Sequence, residues 1–165
     1  MIHILTTGGT IEGIDIEIRS GKHHSDKSSA SIQTFLDKAN VCSPYKIEKV
    51  FNKDSRKITL KDRQKLLNAI LKIKTKQILI THGTFTMEET AKFLGKQRLD
   101  KVVVLVGSFV LGDLYDTDAP FNLGFAMGAI QLLQPDVYIT MNGKIFHWSN
   151  VFKNLETNRF EYQNE

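Results

Sequence analysis

Cysteine is almost missing from this sequence: Cys42 stands alone among 165 residues. One cysteine cannot close an internal disulfide, so nothing in the chain calls for an oxidising compartment. No His or acid accompanies Cys42 in a motif, which makes it a small structural residue rather than a nucleophile. Long apolar runs are also missing, and none approaches the ~20 residues needed to span a bilayer. The N-terminus, MIHILTTGGT, has no basic stretch leading into a long apolar core, so no secretory signal is expected and the cytoplasm is the expected compartment. A strong charge bias is absent too. The net charge is +4, and the lysines of Lys53–Lys76 fall on what reads as the polar face of a helix, so neither nucleic acid nor membrane is expected as a partner. Neither G-x-G-x-x-G nor G-x-x-x-x-G-K-[ST] occurs, which argues against a nucleotide-binding domain. Repeats and low-complexity tracts are absent.

What is present is an alternation of short apolar runs with helical patterns. Hydrophobic residues make up 41% of the chain and charged residues 24%, which suits one soluble domain with its own core. Strands are predicted at Ile2–Leu5, Ile47–Phe51, Gln77–Thr81, Val102–Val106 and Val137–Met141. The continuous runs QILIT and VVVLV read as strands buried on both faces. Asn142-Gly143 is a hairpin turn signal, with Lys144–Phe146 pairing back. Helices are predicted at Ser31–Ala39, at Leu60–Ile73 with Leu66, Leu67, Ile70 and Ile73 on one face, from Thr86 to about Leu94, and at Pro120–Leu133. Thr86-Met87-Glu88-Glu89 fits a capping box. Residues 14–29 read as a polar mobile loop, and the tail 154–165 as weakly structured. The order predicts a three-layer α/β/α domain around a mainly parallel sheet, with any ligand beyond the strand C-termini.

Three loops at those ends carry chemistry-bearing residues. Thr7-Gly8-Gly9-Thr10 offers a hydroxyl on a tight turn, and alone it is more often a simple turn or an anion nest. His82-Gly83-Thr84-Phe85-Thr86 puts a second hydroxyl at a strand end before a helix, although Thr86 is adequately explained as a cap. Gly107–Asp118 is the third. Lys101, just ahead of VVVLVG, is a candidate base only if it enters a desolvated site.

Taken in order, TGGTI, Lys53-Asp54-Ser55 with Ile58-Thr59, HGTxTMEETA, VVxxVG, DxPFNL and MNGKIF resemble the L-asparaginase family from Met1 to about Thr157. Gly107–Leu123 has the length of that family's GAMRPxxxxSADGPxNL segment. The resemblance implies an amidohydrolase with no cofactor and no metal, acting on a small amide such as asparagine. It implies Thr10 as nucleophile, with Thr84 and Lys101 as further catalytic residues. Gly9, Ser55, Gly83 and Phe85 fall at substrate-contacting positions, and Ser55 would hold the substrate's α-carboxylate. The reaction would be acyl transfer to a hydroxyl, with ammonia leaving and water releasing the acid, helped by loop N–H groups.

The sequence departs from the family pattern at several places. Phe85 stands where the family has Asp, which removes a carboxylate that binds the substrate's α-amino group and holds the lysine. Without that carboxylate a buried lysine loses protons more readily, so a Thr84–Lys101 dyad remains possible. Ser108-Phe109-Val110-Leu111 replaces AMRP, and no Tyr lies between Ile11 and Ser43. His23 and His24 occupy the loop where that Tyr would fall, but adjacent histidines do not favour a metal site. The resemblance stops where the family's smaller second domain begins. A single domain over residues 1–165 is therefore expected, with a more open site and weak or altered activity. Self-association into a homodimer or higher oligomer is expected, with Phe109, Val110, Leu111 and Leu114 contributing. The alternative reading is a non-catalytic relative that binds a small ligand or a partner protein.

Overall fold

The structure, a computed structural model, describes residues 1–15 and 31–163. Most of the predicted polar loop, including His23 and His24, lies outside the described residues. The sheet has six strands: β1 (Ile2–Thr6), β2 (Tyr45–Lys49), β3 (Gln77–Thr81), β4 (Val102–Val106), β5 (Asp136–Met141) and β6 (Lys144–His147), in the order β2-β1-β3-β4-β5-β6. All neighbours are parallel except β5 and β6, which form the hairpin expected at Asn142-Gly143. The helices are α1 (Ile32–Lys38), α2 (Leu60–Lys72), α3 (Met87–Gly95) and α4 (Ala119–Ala129).

Alternation along the buried strands sends side chains to two cores. Leu5, Ile78, Ile80, Val103, Leu105 and Ile139 pack with Leu66, Leu67 and Ile70 of α2 and Met87, Ala91 and Leu94 of α3. Ile2, Ile4, Leu79, Val102, Val104 and Val106 pack with Ile32 and Leu36 of α1 and Leu123, Ala126 and Met127 of α4. Helices therefore cover both faces, as the three-layer expectation required.

Three local expectations need correction. The second strand is two residues earlier than its apolar run, because Val50 and Phe51 turn into the core while Tyr45–Lys49 pairs with β1. The capping box belongs to α2, not α3: Thr59 Oγ1 accepts from Asp62 N at 3.3 Å, and Thr59 N donates to Asp62 Oδ2 at 2.9 Å. Thr86 makes no side-chain cap, and its hydroxyl instead donates to Ser55 O at 2.8 Å. The tail is ordered as a hairpin of β7 (Phe152–Asn154) and β8 (Arg159–Glu161). Two three-residue strands are too short to show a period in sequence. Packing fixes them: buried Phe160 lies against Phe109 and Phe146, Val151 is buried, and Tyr162 donates to Ile145 O.

The order β2-β1-β3 places consecutive strands on opposite sides of β1. Chain direction from the first strand thus reverses across the sheet between β1 and β3, the switch point at which such sheets bind ligands in a crevice beyond the strand C-termini. Those two ends run directly into Thr7–Thr10 and His82–Thr84.

Candidate active site

The loop after β1 is tied down on both sides. Thr7 Oγ1 donates to Thr81 O at 2.6 Å, and Lys53 N donates to Thr7 O at 3.0 Å. Gly8 and Gly9 then turn back with φ of +95° and +83°, a region that side chains with a Cβ rarely enter. Thr10 opens a short 3-10 turn (Thr10–Glu12), and its carbonyl accepts from Gly13 N and from Gly112 N at 2.9 Å each. Glu12 folds back to take bonds from Gly8 N at 2.9 Å and Thr81 Oγ1 at 2.6 Å. Burial raises the Glu12 carboxyl above its ordinary range, and the hydrogen bonds from Thr81 and Gly8 only partly oppose this. The result is a buried, braced Thr10.

Gly9 packs so closely on Gly83 that any Cβ there would overlap the Gly83 backbone. A Cβ on Gly83 would in turn lie 2.6 Å from Ser55 Oγ. These contacts draw Gly9, Ser55 and Gly83 together from three separate loops. Ser55 is 1% exposed, and its hydroxyl has no hydrogen-bond partner among the described residues. Such an orphaned buried hydroxyl carries a desolvation cost of about 1–3 kcal/mol that a ligand acceptor would relieve.

Thr84, also buried, is bonded by a lysine, but not by Lys101. Lys101 sits at the N-terminal end of β4, the opposite end of the sheet from Thr84. Its Nζ donates to Ile73 O at 2.7 Å and Thr75 O at 3.1 Å, capping the carbonyls after α2. The expected Thr84–Lys101 dyad is thus corrected on geometry. The lysine at Thr84 is Lys153 of β7, whose Nζ donates to Thr84 Oγ1 at 3.0 Å. Burial lowers the Lys153 ammonium below its ordinary value, nearby Arg56 lowers it further, and Asp15 opposes them.

Phe85 takes the contacts a carboxylate would otherwise make with these cations. Lys153 Nζ lies 4.2 Å and Arg56 Cζ 4.3 Å from its ring centroid, within cation–π range. Phe109 adds a second ring 5.4 Å from Lys153 Nζ. Arg56 itself bridges two carboxylates, with Nη2 at 2.7 Å from Asp15 Oδ1 and 2.6 Å from Asp54 Oδ2.

The long loop after β4 is organised by its DxPFNL motif. Asp118 accepts from Phe109 N and Val110 N, and buried Asn122 donates to Asp118 Oδ2 at 2.8 Å and to Gly107 O at 3.1 Å. Leu111 is buried and Phe109 packs against the core, so of the four apolar residues expected at an outer surface only Leu114 is well exposed. Tyr115 beside it is fully exposed. A cleft of about 710 Å³ lies between Phe109, Lys144 and Phe160, and its lining includes neither Thr84, Phe85 nor Arg56.

Lys153, Arg56 and Asp15 escaped the sequence reading. For Lys153 the available signal was order alone: it follows the MNGKIF hairpin, at the edge of a segment without apolar pattern.

The fold and these loops have counterparts in known proteins. The family model described as "Asparaginase, N-terminal" matches residues 1–164. The chain is 30% identical over 174 residues to "L-asparaginase 2" of Bacillus subtilis (strain 168), covering 99% of this chain and 46% of that protein. It is 32% identical over 174 residues to the "Glutaminase-asparaginase" of Pseudomonas aeruginosa, covering 96% of this chain and 47% of the relative. Among solved structures, a probable cytoplasmic L-asparaginase from Campylobacter jejuni superposes with a TM-score of 0.80 at 27% identity, over 99% of this chain and 53% of that one. The thermostable L-asparaginase from Thermococcus kodakarensis gives 0.83 at 26% identity, over 99% and 51%. The chain spans about half the length of the relatives it matches. Over that half, it belongs to the asparaginase family through the family's N-terminal domain.

Proposed function

We propose that this chain acts as an asparaginase-type amidohydrolase of altered efficiency, working on a small side-chain amide. The observation that carries the reading is the Lys153 Nζ–Thr84 Oγ1 bond at 3.0 Å beside the braced Thr10 turn. In the proposed reaction Thr10 Oγ attacks the amide carbon, and its proton passes to the departing nitrogen. The C–N bond breaks, ammonia leaves, and an acyl ester remains on Thr10. Water then attacks the ester, giving one proton to the Thr84–Lys153 pair; the C–O bond to Thr10 breaks, the acid is released, and the pair hands that proton to Thr10 Oγ. A lysine whose ammonium is destabilised spends more time as the free amine that this step needs. Ser55 supplies the buried hydroxyl for a substrate carboxylate, and Gly9 and Gly83 allow the loops to close around it.

Phe85 favours a second reading. It gives Lys153 an aromatic face in place of a carboxylate, which suits a non-catalytic relative that binds a small ligand. Release of ammonia from asparagine, glutamine and simpler amides separates the two. Turnover removed by Thr10→Ala supports hydrolysis. Ligand binding without ammonia from any amide supports the binding relative. Self-association belongs to the same proposal, with Leu114 and Tyr115 as exposed apolar residues of the long loop. Sedimentation velocity at micromolar concentration should give a species larger than a monomer.

A further inference from the structure

We propose that this site selects ω-amides of simple dicarboxylic acids that carry no α-ammonium, such as succinamate, over asparagine and glutamine. The inference deepens the hydrolytic reading and rests on it for turnover, whereas its binding component stands apart.

The argument starts from where an α-ammonium would have to go. With a substrate carboxylate on the orphaned Ser55 hydroxyl, an α-ammonium is one carbon away from that carboxylate. Ser55 is followed by Arg56, and the Ser55 segment is joined to the Thr84 segment by the Thr86 Oγ1–Ser55 O bond of 2.8 Å and by the close approach to Gly83. The ammonium is therefore brought in beside Arg56, Phe85 and Lys153. Two cations already lie over the Phe85 ring, at 4.3 Å and 4.2 Å.

The carboxylates tied into this network, among the described residues, already serve other groups. Asp15 and Asp54 are both bonded to Arg56. Glu88 Oε2 accepts from Lys153 N at 2.7 Å, and Glu88 Oε1 lies 3.7 Å from Lys92 Nζ. Phe85 offers a ring where an incoming ammonium needs an acceptor, and the Arg56 guanidinium, charged in every state of the site, already lies over that ring. A substrate that replaces the α-ammonium with hydrogen avoids the repulsion and keeps the carboxylate. Like charges about 6 Å apart at an effective dielectric of about 20 correspond to roughly a hundredfold in affinity. The expected discrimination is therefore between roughly tenfold and a hundredfold.

The test uses the full chain and two independent readouts. Calorimetric titration compares succinate with L-aspartate, the two hydrolysis products, and needs no turnover. Ammonia release compares succinamate with asparagine. Succinate should bind at least ~10-fold more tightly than aspartate, and kcat/KM should favour succinamate by a similar factor. Phe85→Asp, at a position 43% exposed where the fold tolerates a polar side chain, should shift both ratios toward the ammonium-bearing ligand. Equal or tighter binding of aspartate, or no binding of either acid at tens of millimolar, overturns the proposal. Selective succinate binding without ammonia from any amide sustains the selectivity and rejects hydrolysis. Equal turnover of asparagine and succinamate sustains hydrolysis and rejects the selectivity.

Discussion

Lys153 Nζ and Thr84 Oγ1 meet at 3.0 Å although 69 residues separate them in sequence. The contact joins a three-residue strand near the end of the described chain to the turn after β3. Its existence depends on the β7–β8 hairpin, which is held by Phe160 against Phe109 and Phe146. The lysine proposed to take part in the reaction is thus positioned by an aromatic cluster. Phe160→Ala should lower activity more than its distance from Thr84 suggests. Loss of a buried Phe also costs about 3–5 kcal/mol of stability, so activity should be read per folded molecule, well below the unfolding transition. Unchanged kcat/KM in folded Phe160→Ala would contradict this dependence.

Phe85→Asp should change the pH profile as well as the rate. Lys153 is pulled below its ordinary value by burial first and by Arg56 second. In the proposed reaction the free amine is the active form, so the rate should rise with pH and level off below the usual lysine value. A carboxylate at position 85 would stabilise the ammonium and move that rising limb to higher pH. Asparagine turnover at the plateau should increase by roughly 10²-fold, the lower end of the range for a restored acid–base group. A limb that stays in place would show that Lys153 is not the titrating group.

Gly9→Ala should disrupt the site and the fold together. The added Cβ overlaps the Gly83 backbone, and Gly9 has φ of +83°. Both chain segments are backbone, so neither gives way easily. Destabilisation above about 2 kcal/mol is expected, from left-handed strain plus overpacking, together with loss of ammonia release. Denaturant unfolding with an unchanged midpoint would contradict the packing described here.

His82 makes the fold sensitive to mild acid. It is fully buried, with Nδ1 at 2.8 Å from Gly83 O and Nε2 at 2.9 Å from Thr90 Oγ1. Gly83 O can only accept, so Nδ1 carries the ring proton, and in the neutral imidazole Nε2 is left to accept from Thr90 Oγ1, which also takes a bond from Arg63 Nε. Burial, with a smaller contribution from Arg63 and against the Gly83 bond, lowers His82 to about 4. The unfolded chain protonates this residue near its ordinary value of about 6.5 while the folded chain does not. Stability should therefore be full above pH ~6.5, fall as pH drops toward ~4, and stop changing on this account below that. The integrated loss is about 3 kcal/mol. His82→Gln should flatten the midpoint-against-pH curve in that window, and an unaltered slope would remove His82 as its source.

The strands and helices were legible in sequence because each obeys one strong rule. Ile78–Ile80 of β3 and all of VVVLV are apolar, since both faces of β3 and β4 are covered, and α2 shows its buried stripe of Leu66, Leu67 and Ile70. The place of Thr10 and Thr84 just beyond β1 and β3 was legible through the motifs that hold them. The lysine that meets Thr84 was not. Lys101 and Lys153 are both lysines beside short strands, and only the sheet's direction tells them apart. A residue before a parallel strand lies at the end opposite the crevice, and Lys101 precedes β4. Applying that rule to the predicted sheet would have excluded Lys101. It would not have found Lys153, because β7 is specified by long-range aromatic packing. Thr86 shows the same limit: its spacing fits a cap, yet Ser55 O is the stronger claimant in three dimensions.

The comparison that tests the account most directly is ammonia release by Lys153→Met and Lys101→Met under identical conditions, on the best amide found for the wild type. Lys153→Met should lose roughly 10²–10⁴-fold in kcat/KM, as expected when an acid–base group is removed. Lys101→Met should keep kcat/KM within a few-fold, and lose only about 0.5–1.5 kcal/mol of stability from the two carbonyls it caps. A Lys153→Met enzyme with wild-type turnover, or a Lys101→Met enzyme that is inactive yet folded, would contradict the assignment of Lys153 to the site.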